Sequence, residues 1–333
     1  MIYAGFDCGG SNTRCMLVSQ DGNILGVGKG GAANYTFCGM ETAANSMRES
    51  ISQAFHNAGL TPQPLDGAFV ASAPAEVFGD AKADAFYREV SGCKNAIIRG
   101  DIFPIWYAGS QLAPAVAMIA GTGTSVYLLK DNTYSQTSGW GPILGDEGSG
   151  YDIGNRAIRY AARMADGRMI MDESFYHSIL SHFNIDPKKP GDLVDAATGS
   201  TYVKQVASAS RVVMNLYEAG NPLAKELISY AAEELTLAVS TLLHKVPNQE
   251  FALLLSGGLL ENDTPLRRVF LRSIQNNPQI SSVQVPYIQP VQAAASLALL
   301  YSGHAEAAEL LLIVPSSLYD AVIITFTGSF NRL

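Results

Sequence analysis

The sequence predicts an α/β protein of two domains, and three observations lead there. At 333 residues the chain exceeds one domain of ordinary size, which holds roughly 100–150 residues. A hydrophobic fraction of 47% against 16% charged residues marks it as globular and able to bury sizeable cores. Short apolar runs bounded by glycine and polar residues also alternate with stretches of helical composition, the order that builds a sheet covered by helices.

The elements follow in chain order. Ile2 to Asp7 and Arg14 to Gln20 read as strands, and the turn Asp21-Gly22-Asn23 leads into Ile24–Val27, completing a meander. Thr42 to Ala58 reads as a helix, Gly67–Ser72 as a strand, Asp80–Val90 as a helix and Asn95–Arg99 as a strand. Near Pro114 the pattern restarts, with strands at Ala115–Ala120 and Thr124–Leu129 around the turn Gly121-Thr122-Gly123. The stretches "AGFDCGGSNTRCMLVSQDGN" and "AMIAGTGTSVYLLKDN" share one layout, a hairpin whose first turn is small, hydroxyl-rich and glycine-bearing. That is either an internal duplication in which each copy opens a domain, or the similarity any two hairpins have.

Beyond the glycine-rich "GWGPILGDEGSGYDIG" the chain reads as mostly helical: Ser149–Ala165, Glu173–Phe183, Thr201–Ala219 and Pro222–Lys245. Phe251–Leu255 is a buried strand ending in "SGGLLEN", and helices at Pro265–Gln275 and Val291–Tyr301 flank a short strand, Val283–Val285. In the tail from Ala305, "ELLLIVP" and "AVIITFTG" are apolar and partly β-branched, which predicts one or two strands or a packed extension. The expected domains are 1–112, 113–304 and a C-terminal extension, 305–333.

A net charge of −8 argues against nucleic acid or an anionic membrane as the main partner. Cys8, Cys15, Cys38 and Cys93 form no C-x-x-C pair, so neither a disulfide framework nor a cysteine zinc site is expected. With no signal-peptide pattern and no apolar run of about 18 or more residues, the default is a cytoplasmic protein with reduced thiols. His56, His177, His182, His244 and His304 have no metal-binding spacing.

Between the first two strands lies Asp7-Cys8-Gly9-Gly10-Ser11-Asn12-Thr13. Glycine lets backbone come close to an anion and aim several N–H groups at it, and the hydroxyls of Ser11 and Thr13 can add donors. The Asp7 carboxylate would repel a phosphate, so its natural role is to hold Mg²⁺ through water. Gly121-Thr122-Gly123-Thr124 offers the same chemistry, and Gly257-Gly258 at the end of a buried strand can take an adenine or ribose. The P-loop and G-x-G-x-x-G signatures are both missing from the sequence.

These motifs in this order, D-x-G-G-S-x-T, G-T-G-T, G-W-G-x-x-x-G-D-E-G-S-x-Y and S-G-G, resemble the N-acetylglucosamine kinase branch of the BadF/BadG/BcrA/BcrD ATPases, within the actin-like ATPase and hexokinase superfamily. The resemblance spans roughly Ile2 to His304. It implies two actin-like (ribonuclease H-like) domains with an interdomain nucleotide and sugar cleft, ATP and Mg²⁺ as cofactors, a small-molecule sugar substrate and a homodimer. It assigns Gly9, Gly10, Ser11, Asn12 and Thr13 to one phosphate loop, Gly121, Thr122 and Gly123 to the other, Gly257 and Gly258 to adenosine, and Asp7 to the metal. Asn34, Gly139, Trp140, Gly141 and Asp146 become sugar contacts, and Asp101 the carboxylate that accepts the proton of the sugar 6-hydroxyl.

Two segments depart from the family. Ile102 to Trp106 is bulky where the family prefers small residues, and Ser72 to Glu76, "SAPAE", replaces a glycine-rich turn. Both leave glucosamine, N-acetylglucosamine, N-acetylmuramic acid and glucose open as substrates. Two other uses of such a fold compete with the kinase. A dehydratase-type activator ATPase would need cluster-ligating cysteines in the second domain, where none follows Cys93. A non-catalytic sugar sensor would have little use for an intact Asp101.

Overall fold

The computed structural model describes residues 1–131, 133–199 and 201–314. The chain divides into two compact units, one comprising Met1–Leu112 with the chain from Pro286 onward, the other Ala113–Val285.

The first unit begins with β1 (Ile2–Cys8), β2 (Thr13–Ser19) and β3 (Ile24–Gly30), followed by α1 (Tyr35–Cys38), α2 (Met40–Asn57), β4 (Gly67–Ser72), α3 (Ala81–Ser91), β5 (Ala96–Arg99) and α4 (Ile102–Ser110). Its sheet runs β3-β2-β1-β4-β5, antiparallel through the meander and parallel from β1 to β5. The strand β1 is buried on both faces, so it reads as a continuous apolar run without alternation. On one face Phe6 joins Met47, Phe55, Val70, Tyr87 and Ile98 in a core under α2 and α3.

The second unit contains β6 (Ala115–Ala120), β7 (Thr124–Lys130), β8 (Thr133–Ser138), α5 (Gly150–Ala165), α6 (Glu173–His182), α7 (Leu193–Ala196), α8 (Tyr202–Ser208), α9 (Ser210–Glu218), α10 (Pro222–Leu243), β9 (Phe251–Ser256), α11 (Pro265–Ile274) and β10 (Ile280–Gln284). Its sheet order, β8-β7-β6-β9-β10, and its pairing repeat those of the first strand for strand. The similarity of the two opening hairpins therefore extends to a whole three-plus-two sheet. Val116, Met118, Leu253 and Leu255 pack with Ile153, Ala157, Leu227 and Leu235 in its core.

The chain then returns to the first unit as α12 (Pro290–Tyr301) and α13 (Ala305–Ile313). This corrects the expectation that residues 286–304 belong to the second domain. The cause is Gly5: with no side chain there, α12 lies directly on β1, and a Cβ at Gly5 would stand 2.1 Å from the Ala295 nitrogen. The buried Ser296 hydroxyl donates to the Ala308 carbonyl (2.7 Å) and Gln292 to that of Leu311 (2.6 Å), pinning α13 to α12.

Thus "ELLLIVP" begins as helix rather than strand, because packing on α12 outweighs its β-branched end. "AVIITFTG" lies outside the described residues. Ile102 to Trp106 also resolves as helix, with Pro104 tolerated in its first turn. Trp106 stacks edge-on against Phe78 and Phe103 in the core, so this bulky stretch fills the interior. Among the described residues no helix is long and apolar enough to cross a membrane.

Replacing Gly5 with alanine forces a methyl into the backbone of α12, and overpacking of that kind costs roughly 2–4 kcal/mol. Urea unfolding of Gly5→Ala reads that loss as a lowered midpoint; a loss under about 1 kcal/mol would contradict the close approach.

Candidate active site

In the first unit, the parallel strands β1, β4 and β5 bring Asp7, Ser72 and Asp101 to their carboxyl ends, where open α/β sheets receive ligands. The turn after β1 closes through the Gly9 N–H donating to the Asn12 carbonyl (3.0 Å), leaving Gly10 and Asn12 exposed and Ser11 half-buried. The Gly9 carbonyl in turn accepts from the N–H groups of Ala33 (3.1 Å) and Asn34 (3.2 Å), which anchors the "GAANY" loop on the turn.

Asn34 is 4% exposed and caps α1, its Oδ1 accepting from the N–H (3.1 Å) and hydroxyl (2.6 Å) of Thr36. What remains for a ligand is its amide donor pair. Thr13 differs from expectation: it is fully buried and its hydroxyl donates to the Gly31 carbonyl (2.8 Å). It fastens the turn to the end of β3, so Ser11 is the hydroxyl at the crest.

Asp101 occupies the N-cap position of α4 yet makes no capping bond. Burial, with the nearby negative charge of Asp7 adding to it, pushes its carboxyl up to about 6, against the pull of the backbone N–H groups of Ile102 and of Asp101 itself. A pair of mutually repelling carboxylates beside exposed turn amides fits Mg²⁺, which takes one or two carboxylates and leaves its other positions to water and phosphate oxygens. No group of three or more His, Cys, Asp or Glu side chains that could cage a metal occurs among the described residues.

In the second unit three predicted segments come together. The ends of β6 and β9 are in register, Ile119 opposite Ser256, which sets the Gly121–Thr124 turn beside the Ser256-Gly257-Gly258 loop. Gly257 has φ +88°, and a Cβ there would lie 2.3 Å from the Ala120 carbonyl oxygen, so only glycine fits. The carbonyls of Gly121 and Thr122 accept from the Gly150 (2.8 Å) and Tyr151 (3.1 Å) N–H groups at the start of α5. Ser149 caps that helix by accepting from the Asp152 N–H.

The glycine-rich strip returns to the same turn. Gly139 packs against Thr124 and Ser125, and the Asp146 carboxylate accepts from the Gly141 N–H (3.2 Å) and lies against Gly123. Trp140 stands 75% exposed, an open apolar face, with Ile143 and Leu144 exposed beyond it.

Two supporting residues carry no motif that would have exposed them. The Tyr87 hydroxyl donates to the Ala33 carbonyl (2.8 Å) and pairs with the buried Ser72, holding the loop that bears Asn34. Glu261 accepts from the Ser256 hydroxyl (2.7 Å) and the Gly257 N–H (2.8 Å), bracing the S-G-G loop; its only sequence signal is its closeness to that loop.

Residues 4–300 match the model of the BadF/BadG/BcrA/BcrD ATPase family. An N-acetylmuramic acid/N-acetylglucosamine kinase of Clostridium acetobutylicum is 26% identical over 84% of this chain and 93% of its own. A glucosamine kinase of Vibrio cholerae is 27% identical over 73% and 81%. Among solved structures, a candidate N-acetylglucosamine kinase of Chromobacterium violaceum superposes with TM-score 0.70 at 22% identity, covering 90% of this chain and 98% of its own. A ROK hexokinase of Thermus thermophilus superposes with TM-score 0.51 at 14% identity, covering 91% and 99%. These likenesses show the two-domain actin-like fold.

The electrostatics of Asp101 can be read directly. Carboxyl ¹³C NMR of the ligand-free protein should place its titration at about 6, and Asp7→Asn should lower it. A titration in the ordinary range near 4, unmoved by Asp7→Asn, would contradict the coupling.

Proposed function

We propose that this chain, which belongs to the BadF/BadG/BcrA/BcrD ATPase family, is an ATP-dependent kinase that phosphorylates the 6-hydroxyl of an amino sugar such as N-acetylglucosamine or glucosamine. The observation that carries the reading is Asp101: half-buried at the end of a parallel strand, not engaged in capping its helix, and raised to about 6. A carboxylate poised there is ionised at neutral pH and close enough to it in pKa to take a proton efficiently. The kinase names of the relatives from Clostridium acetobutylicum and Vibrio cholerae support phosphoryl transfer to a hexosamine.

In the first unit, the sugar 6-hydroxyl donates to Asp101, which sharpens its oxygen as a nucleophile for the γ-phosphorus. As the new O–P bond forms, the bond from the γ-phosphorus to the β–γ bridging oxygen breaks, the proton passes to Asp101 and ADP leaves. The Asn34 amide gives its N–H groups to a sugar hydroxyl, and the Gly10–Asn12 crest with Ser11 receives phosphate oxygens. In the second unit, Thr122 and its flanking glycines serve the phosphates, Gly257 and Gly258 receive adenosine, and Trp140 with the backbone of Gly139 and Gly141 receives the sugar ring. Mg²⁺, held through water by Asp7, would neutralise phosphate charge.

Replacing Asp101 with asparagine should lower kcat by about 10²–10⁴-fold and leave nucleotide affinity essentially unchanged, measured by coupled ADP release and calorimetry. In the wild type, kcat/KM for the sugar should fall about tenfold per pH unit below about 6 and level off above it, since the base is lost on protonation. Stability runs the other way. A carboxyl raised above its unfolded value favours the fold at low pH and loses that contribution as pH climbs to about 6, so Asp101→Asn should stabilise the protein at pH 7–8 by about 1–2 kcal/mol. Full turnover in Asp101→Asn would refute the assignment.

A further inference from the structure

The glycine strip ends at Gly148, and the side chains that fix that point lie beyond the strip's own motif. Gly148 has φ +75°, and a Cβ there would stand 2.7 Å from the Ala231 carbonyl oxygen and 2.9 Å from Leu235, so its backbone lies directly on α10. Its N–H donates to Asp152 Oδ2 (3.1 Å), while the Asp152 N–H donates to the Ser149 hydroxyl (3.1 Å). The two bonds form a capping box in which the acidic side chain reaches back to the residue before the cap instead of to the cap itself. The Ser149 N–H, left free by this shift, donates to the Asp146 carbonyl (3.1 Å). Helix start and strip are thereby joined backbone to backbone.

Asp152 is held in turn. Its Oδ1 accepts from Arg156 Nε (2.9 Å), one turn along α5, and the Arg156 guanidinium lies over the Tyr230 ring with its carbon 3.6 Å from the ring centroid. Tyr230 immediately precedes Ala231, so one step of α10 receives both Gly148 and the arginine that orients Asp152. The Asp152 side chain is only 14% exposed, which shields the pair from solvent screening and sets it apart from an ordinary surface ion pair.

We propose that Asp152, Arg156 and Tyr230 are positioning residues that fix the end of the glycine strip on α10 and so set the affinity for the sugar. This rests on the reading of the strip, Gly139 to Asp146, as sugar-facing. With the link cut, Gly148 keeps its place on α10 but its N–H is no longer aimed, and Asp146 with the strip before it is free to tilt. The Gly121–Thr124 turn feels this less, because its carbonyls are held by Gly150 and Tyr151, which lie within α5 beyond that joint. Sugar binding therefore weakens while nucleotide binding does not.

The test is steady-state kinetics with Mg-ATP and N-acetylglucosamine or glucosamine, whichever the wild type phosphorylates, on variants whose fold is checked by thermal melting. Asp152→Ala should raise the sugar KM about tenfold and leave the ATP KM within about twofold of wild type. Asp152→Asn, which keeps an acceptor for the Gly148 N–H, should recover part of that loss. Arg156→Ala and Tyr230→Leu break the same link, so each should raise the sugar KM about threefold and the double variant no more than Arg156→Ala alone. These two carry the test if Asp152→Ala does not fold. An unchanged sugar KM, or sugar and ATP KM rising equally as general loosening would make them, would overturn the inference and leave the kinase reading standing. A wild type that phosphorylates neither sugar would overturn the kinase reading and this inference with it.

Discussion

The backbone hydrogen bonds that close the second unit's glycine turn are the constraint on which the rest of its site depends. Gly150 and Tyr151, at the start of α5, donate their N–H groups to the carbonyls of Gly121 and Thr122. Two of the turn's carbonyls are taken up inward by these contacts, while Thr122 at its crest is exposed. The 139–151 segment supplies both of these donors, and it also carries Trp140. On the neighbouring S-G-G loop a carboxylate plays the bracing part, Glu261 accepting from the Ser256 hydroxyl and the Gly257 N–H.

Electrostatics impose the second constraint, in the first unit. Asp7 and Asp101 end parallel strands of one sheet, and the charge of the one raises the carboxyl of the other. The arrangement disfavours the ionised fold and is tolerated because the surrounding packing holds it. Trp106 and Phe103 of α4 pack edge-on against each other and against Phe78, so the helix that begins after Asp101 is anchored by aromatic burial. A carboxyl raised by burial and by a neighbouring like charge is the kind of group that functional sites are built around.

Much of the architecture was legible because strands buried on both faces announce themselves as apolar runs; Gly67–Ser72 and Ala115–Ala120 have the bounds the sequence suggests. The strand Thr133–Ser138 was not legible: it is an edge strand of threonine, serine, tyrosine and glutamine, mostly outside the core, with no apolar period to read. The placement of α12 was hidden because only a glycine at position 5, far away in sequence, makes room for it. At the site, glycine and hydroxyl content pointed to the two turns, but not to which hydroxyls are free. Thr13 and Asn34 look alike on paper as ligand contacts, and folding commits the Thr13 hydroxyl and the Asn34 oxygen internally. Tyr87 was invisible because its role arises from a tertiary contact with Ala33.

Transfer of a phosphoryl group to a hexosamine hydroxyl is measured most directly by ³¹P NMR of the products after incubation with Mg-ATP and N-acetylglucosamine or glucosamine. ADP and a sugar phosphomonoester should form in equal amounts, the phosphorus coupled to the C6 methylene protons of the sugar. Release of inorganic phosphate with the sugars unchanged, or no consumption of ATP with either, would contradict it.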